Sequence, residues 1–552
     1  PSFGAPDDGL GFAPTTIQHS HGSTAICGIQ VLDDPSWPEE FQGNLIIGNV
    51  MTSRINRDRV EWRGSTSVGH EAPDFLTVTD PWFRPVDLQL GPDGALWVAD
   101  FYNRIIGHYE VPLTHPLRDR ERGRIWRIVP PKGADLARLK LDDDSLESLI
   151  NEFASPNRAR RTLALNRLVD LHKNDGVRDR LGKLLTERDL ANPQQRVHTL
   201  WAWSRMNRDL HAGDSEVLFV TGRDPDPMVR THLLRLLVAG STWDNEPEPL
   251  RKLVLESLWD VNAHVRRAAA EALANSEHQS AHASEYVRAL LDALAKAPKD
   301  DTHLRHALRI SLRNNLAVEG GFTQISLDNL TESDARTLAD IAPAVTNSAA
   351  ASFLVAHLQK YPEPREVAAK YLKHAARFLP KDRIDDLAGL AQEKFRDDVD
   401  LQSALFKSVQ DGLAQRGVAL SARMKSWGSA LAADLLAVVA RTDSDWISMP
   451  TDSNSTSPNP WAVQRRKSSD GKEADFLCTL PAGEQMTGVL RSKKFTAPAG
   501  LTFWMAGHDG FPEKPLQKKN LVRLRKADSL EVLFVAPAPR NDVAKEISWD
   551  LG

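Results

Sequence analysis

Cysteine is nearly absent: Cys27 and Cys478 are the only two in 552 residues, and their separation excludes a disulfide framework. Scarce cysteine leaves the redox compartment open, because a chain of this length can bury enough core without covalent staples. No Cys-x-x-Cys-His occurs, so c-type haem attachment is excluded. No run approaches the roughly 20 apolar residues of a membrane span, so no span is expected. A basic excess is missing too, and the net charge of −5 argues against nucleic acid as a partner. Pro1 opens the chain with neither a basic n-region nor an apolar h-region, and the expectation is a fragment or processed product.

What is present falls into three regions. In the first, residues 1–134, Phe83 to Asp87 leads into Leu88-Gln89-Leu90, Gly91-Pro92-Asp93-Gly94, Ala95 to Asp100, and later Gly123 to Ile128. Proline pre-sets φ and Asp-Gly reverses the chain, so the two apolar runs must pair as an antiparallel hairpin. A second such stretch runs from Thr24 through Gly43–Gly48 to Trp62. Both read as blades of a β-propeller, which needs about four to eight such sheets. Two blades make a partial propeller.

From residue 135 to 443 the period changes from 2 to 3.6, which predicts helices. Ser155-Pro156-Asn157, Asn192-Pro193-Gln194, Asp224-Pro225-Asp226-Pro227 and Asp260-Val261-Asn262 recur every 32 to 37 residues as helix starts, three of them with proline expected at the first helical position. Amphipathic runs follow, with Val229, Leu233, Leu236 and Leu237 on one face and Val265, Ala269, Ala272 and Leu273 on another. Arg160, Arg161, Arg230, Arg266 and Arg267 return near one phase and are expected to close ion pairs between repeats. The pattern resembles HEAT repeats, hence an all-α HEAT-like solenoid.

Residues 444–460 are crowded with Ser, Thr, Asn and Pro and read as a linker. Residues 461–552 then supply short apolar runs, among them Phe476–Leu480, Leu501–Met505, Leu521–Arg525 and Glu531–Val535, which predict a β-sandwich. Gly488 to Phe495, Gly500 to Phe503 and the closing Ser548 to Leu551 resemble galactose-binding-like sandwiches, and the resemblance implies a truncated domain. Trp504, His508 and Asp509 could bind a carbohydrate by ring stacking and hydroxyl hydrogen bonds, or could simply form a turn.

The blade residues Ala25–Gly28, Gly43–Leu45, Phe83–Asp100 and Gly123–Arg127 resemble glucose and sorbosone dehydrogenases that use pyrroloquinoline quinone. The order of propeller and helices resembles large bacterial membrane-bound dehydrogenases. The resemblance implies an extracytoplasmic, periplasmic or cell-surface protein with pyrroloquinoline quinone and calcium in its full-length form. It further implies His21, Arg84 and Asp87 as catalytic candidates, with His19, Asp100, Asn103 and Arg104 around the cofactor. A His or Asp would take the hydroxyl proton as hydride leaves, and an Arg would stabilise charge on the quinone. His70 and His108 are further candidates.

Each candidate also has a structural reading. Asp100 follows a strand, where a carboxylate commonly caps backbone N–H groups of the next loop. Arg84 and Asp87 could form an ion pair. His19 and His21 form a His-x-His pair that could bind metal but shows no third ligand nearby. Cys27 reads as an inert buried thiol.

Two functions compete. One is a fragment of a quinoprotein-like dehydrogenase for a sugar or polyol, inactive in isolation because two blades cannot enclose a cofactor. The other is a non-catalytic binding scaffold for a polysaccharide or for a protein partner on the solenoid.

Overall fold

Alternating apolar residues between turn glycines give residues 26–128 their strands. In this computed structural model β1 (Ile26–Leu32), β2 (Asn44–Asn49), β3 (Arg54–Arg63) and β4 (Thr66–Thr77) form an antiparallel sheet in that order. A second, three-stranded sheet holds β5 (Pro85–Leu90), β6 (Leu96–Asp100) and β7 (Arg124–Ile128). The expected hairpin joins β5 to β6: Gly91 N–H donates to Ala95 O at 2.8 Å, and Gly94 takes φ +83°. Leu32, Ile46 and Ile55 of the first sheet share one buried core with Leu88, Leu90, Leu96 and Val98 of the second. Each such side chain stabilises the fold by about 1.5–3 kcal/mol. Among the described residues the two sheets do not close into a barrel or a ring.

The structure describes residues 14–552 except 18, 24, 108–110, 140, 142, 173, 188–189, 191, 207–213, 240–247, 276–278, 397, 443–445, 450–459, 484–486 and 511–512. It divides into two compact units, Pro1–Arg423 and Met424–Gly552. The strands above and most of the helices therefore belong to one unit.

The helices begin with α1 (Leu146–Glu152), α2 (Arg158–Leu171), α3 (Asp175–Thr186), α4 (Pro193–Met206), α5 (Ser215–Gly222) and α6 (Pro227–Ala239). They continue with α7 (Glu248–Ser257), α8 (Ala263–Ala274), α9 (Gln279–Lys296), α10 (Thr302–Ala317) and α11 (Glu332–Ile341). The array then runs through α12 (Ser348–Lys360), α13 (Arg365–Phe378), α14 (Asp385–Lys394) and α15 (Val399–Gln415). The apolar sets Val229/Leu233/Leu236/Leu237 and Val265/Ala269/Ala272/Leu273 are all buried.

Each recurring start is built the same way. Asn157, Asn192, Asp226 and Asn262 accept backbone N–H bonds from the first turns of α2, α4, α6 and α8. Four residues after each cap stands an arginine, and each donates back to carbonyls just before its own cap: Arg161 to Ser155 O, Arg196 to Leu190 O, Arg230 to Asp224 O and Arg266 to Asp260 O. Two also reach forward, Arg196 to Asp224 at 2.8 Å and Arg230 to Asp260 at 2.8 and 2.9 Å; of the arginines expected to close pairs between repeats Arg230 does so, whereas Arg160 pairs with Glu152 and Arg267 with Glu271, both nearby in the chain. One detail differs from expectation. Asn157, not Ser155, caps α2, so Pro156 precedes the cap and only Pro193 and Pro227 open helices.

Two buried polar anchors fix the strands to the helices within the first unit. The Asp301 carboxylate caps α10 by accepting from Leu304 N–H, and also accepts Ser65 N–H and Oγ–H at 2.8 Å each and Thr66 Oγ–H at 3.0 Å. Gly64, at φ +63°, lets the β3–β4 turn approach so closely that a Cβ there would sit 2.2 Å from an Asp301 oxygen. At the other anchor Asn157 Nδ2 donates to Asp34 Oδ2 at 2.6 Å and to Gly91 O at 3.0 Å.

Helix α16 (Ala422–Thr442) carries the chain into the second unit. There β8 (Trp446–Met449) pairs with β11 (Val489–Ser492), and β9 (Ala462–Lys467) pairs with β10 (Glu473–Cys478). Likewise β12 (Gly500–Gly507) pairs with β15 (Asn541–Asp550), and β13 (Leu521–Arg525) with β14 (Val532–Pro537). Trp549 contacts Phe503 and stacks on Phe534, joining the last two ladders. The expected linker 444–460 thus contains a strand, β8, whose partner lies forty residues on; residues 450–459 lie outside the described residues.

Candidate functional site

The sequence candidates near the hairpin are brought together, but by structural bonds. Asp100 Oδ1 accepts the backbone N–H groups of Arg84 and Tyr102 at 2.8 and 2.9 Å, and Oδ2 accepts from Arg124 Nε and Trp126 Nε1 at 2.8 and 2.9 Å. Arg84 gives its Nε–H to Asn103 O, Nη1 to Val50 O and Ser53 Oγ, and Nη2 to Arg104 O. Burial pulls the Arg84 pKa down while Asp100 and Asp80 oppose it; a guanidinium so far above neutrality stays charged. Asn103 spends Nδ2 on Asp119 O and accepts Ile105 N–H, while the Arg104 side chain is exposed.

Asp87 lies apart. It is exposed and bonds Gln89, whereas the Arg84 guanidinium is held by the carbonyls of Asn103, Val50 and Arg104. Cys27 donates its thiol to Pro85 O at 3.4 Å, and burial followed by the Asp87 charge raises its pKa, which suppresses the thiolate. His70 pairs with Glu61 at the surface, and His108 lies outside the described residues. Pyrroloquinoline quinone and calcium would need free donors here. The carboxylate of Asp100 and the guanidinium of Arg84 are already committed, so these residues do not fit either group.

In the second unit Trp504 lies partly buried on β12. Exposed His508 sits 3.2 Å from Asp542. Asp509 is buried, and its carboxylate accepts the N–H groups of Lys518, Lys519 and Asn520. Burial works to raise the Asp509 pKa, but these three donors outweigh it and hold the carboxylate below its ordinary value. Its oxygens are spent on a turn.

His19 and His21 differ. Asp58 of β3, a residue the sequence reading did not single out, lies with Oδ1 3.0 Å from His19 Nε2 and 3.1 Å from His21 Nε2. The two rings meet edge to face at 4.8 Å. Asp58 is buried because β3 turns four consecutive residues, Ile55 to Asp58, away from solvent. The segment carrying the histidines is held alongside by Gly69 N–H donating to Thr16 O and Asn49 Nδ2 donating to His21 O. Asn49 also donates to Asn56, which in turn bonds Asp74. On the far side of His21, Nδ1 lies 3.5 Å from Glu71 Oε1. Both ring nitrogens of His21 are buried without a hydrogen bond.

Residues 9–132 match the family described as Domain of unknown function (DUF7133), which spans the strand region but not the helices. None of the curated proteins matches the chain. Among solved structures, the crystal structure of an engineered protein from the Northeast Structural Genomics Consortium is 19% identical, covers 48% of this chain and 78% of its own, and has a TM-score of 0.25. A second engineered protein from the same consortium is 17% identical, covers 51% of this chain and 96% of its own, and has a TM-score of 0.18. No helix among the described residues is long and apolar enough to cross a membrane.

Proposed function

We propose that this chain is a binding scaffold, in which two propeller-type sheets, a HEAT-like solenoid and a C-terminal β-sandwich hold a protein partner. The observation that carries the reading is an uncovered apolar corner on the helices. Trp259 is 46% exposed and Val261 is 94% exposed. Trp259, Arg266, Lys296 and Leu308 line a cleft of about 290 Å³, with the Lys296 ammonium 4.7 Å from the Trp259 ring. Exposed tryptophan flanked by cations is typical of protein-binding anchors. A polysaccharide is the weaker occupant, because the Asp509 carboxylate is consumed by backbone donors.

Support against catalysis by this chain comes from Arg84 and Asp100, whose polar atoms are spent internally. An extracytoplasmic setting, as the resemblance implies, would suit such a scaffold. The test uses the full chain and its Trp259→Ala/Val261→Glu variant. A partner bound by the first should be released by the second, with no dye reduction from sugars in the presence of pyrroloquinoline quinone and calcium, and no retention on a glycan array. Turnover, or equal binding by the variant, would overturn the reading.

A further inference from the structure

We propose that His19, His21 and Asp58 hold one transition-metal dication of the zinc class, with Glu71 supporting His21 from behind. This inference is independent of the scaffold reading. The donor set selects the ion: two imidazoles and one carboxylate suit zinc, cobalt, nickel or copper, whereas calcium and magnesium require shells built from oxygen.

The geometry already approximates a coordination sphere. All three ligand atoms lie within 4.8 Å of one another, and the two Nε2 to Oδ1 separations are 3.0 and 3.1 Å. Tetrahedral bonds of about 2.0–2.2 Å place ligand atoms roughly 3.3–3.5 Å apart, so each Nε2 and Oδ1 need part by only a few tenths of an ångström, and the two imidazoles, within 4.8 Å of each other, need only close around the ion.

The state of His21 supplies the independent sign. Its ring is 1% exposed, yet neither nitrogen has a hydrogen bond. A buried polar group without a partner is costly and rare in native proteins. A cation on Nε2 removes that cost at one nitrogen, and at the other Nδ1–H can turn to Glu71, giving the carboxylate, histidine and metal relay that fixes ring orientation in metal sites. The Asn49 and Asn56 amides steady the backbone of His21. The alternative, a plain clamp in which Asp58 accepts from His19 alone, leaves both His21 nitrogens without a hydrogen bond. On the other side, 22% exposure of the His19 side chain gives the ion a path in and leaves water as the fourth ligand. The bound ion would tie the segment around residues 16–21 to β3, across 39 residues of sequence.

The experiment takes the full 552-residue chain, stripped with a chelator, and titrates it with zinc and with cobalt as a spectroscopic probe. One ion per chain is expected, and the cobalt form should show the intense visible bands of a four- or five-coordinate site. Asp58→Asn and His21→Ala should abolish both signals, while His70→Ala leaves them intact. Glu71→Gln, on an exposed side chain whose change cannot unfold the strands, should weaken binding by about 10–100-fold. If His21→Ala fails to fold, the Glu71→Gln weakening and the Asp58→Asn loss decide. No ion in the parent chain, or unchanged stoichiometry in Asp58→Asn, would overturn the proposal.

Discussion

The strand region and the helical array of the first unit are held by opposite strategies. In the array one device recurs: a cap and an arginine four residues later, which at Arg196 and Arg230 also meets an aspartate before the next cap. In the strand region each polar lock occurs once, as with Asp301 gripping the β3–β4 turn or Asp100 gathering four donors. The difference teaches that damage should be shared in the array and concentrated in the strand region.

Asp301→Ala is the strongest way to break that comparison. It leaves Ser65 and Thr66 buried without their acceptor and uncaps α10, and removing one partner from a buried charged network costs about 3–5 kcal/mol. Urea denaturation should show the loss, and hydrogen exchange should rise at residues 64–66. A loss under about 1 kcal/mol would mean the anchor is not a lock. Asn157→Ala comes next, at about 2–3 kcal/mol, because it removes both a helix cap and the bond to Asp34.

In the array, Arg230→Met and Arg196→Met should each cost only about 1–2 kcal/mol, and similar amounts, since each breaks one link in a chain of equivalent links. If either matched Asp301→Ala by urea midpoint, the contrast between shared and concentrated damage would fail.

The same contrast explains what could be read from sequence. The Gly91–Gly94 hairpin and the caps at Asn192, Asp226 and Asn262 are local devices, so their residues lie within a few positions of their partners. Asp58 is flanked by Arg57 and Arg59 and resembles a solvated strand face; its histidines lie 37 and 39 residues earlier, and no short pattern announces the meeting. Asp301 and Ser65 are 236 residues apart. Strand β8 looked like linker because its pairing with β11 is equally remote from local sequence. The candidate roles of Arg84 in catalysis and of Asp100 beside a cofactor rest on residue type, which is visible in a sequence, whereas the hydrogen bonds these two side chains make are not.

The smallest effect, and the finest test of the array, is its response to acid. Trp201 donates Nε1–H to His232 Nδ1 at 3.0 Å, which places the neutral ring's proton on Nε2. Burial, then Arg235 and His198, push the His232 pKa down to about 4 from the ordinary 6.5. Above pH 6.5 the ring is neutral whether folded or unfolded, so its contribution is complete. As pH falls from about 6.5 to about 4, the unfolded chain binds a proton that the folded ring resists, and stability declines; below about 4 both states are protonated and the loss stops. Because the ring is partly open to solvent, screening reduces the effect to about 1 kcal/mol. Buried His374, held to about 4 by burial despite its bond to Val345 O, titrates in the same window. His232→Gln should therefore flatten only part of the decline in urea midpoint between pH 6.5 and 4. An unchanged slope would mean that Trp201 and His232 part at little cost.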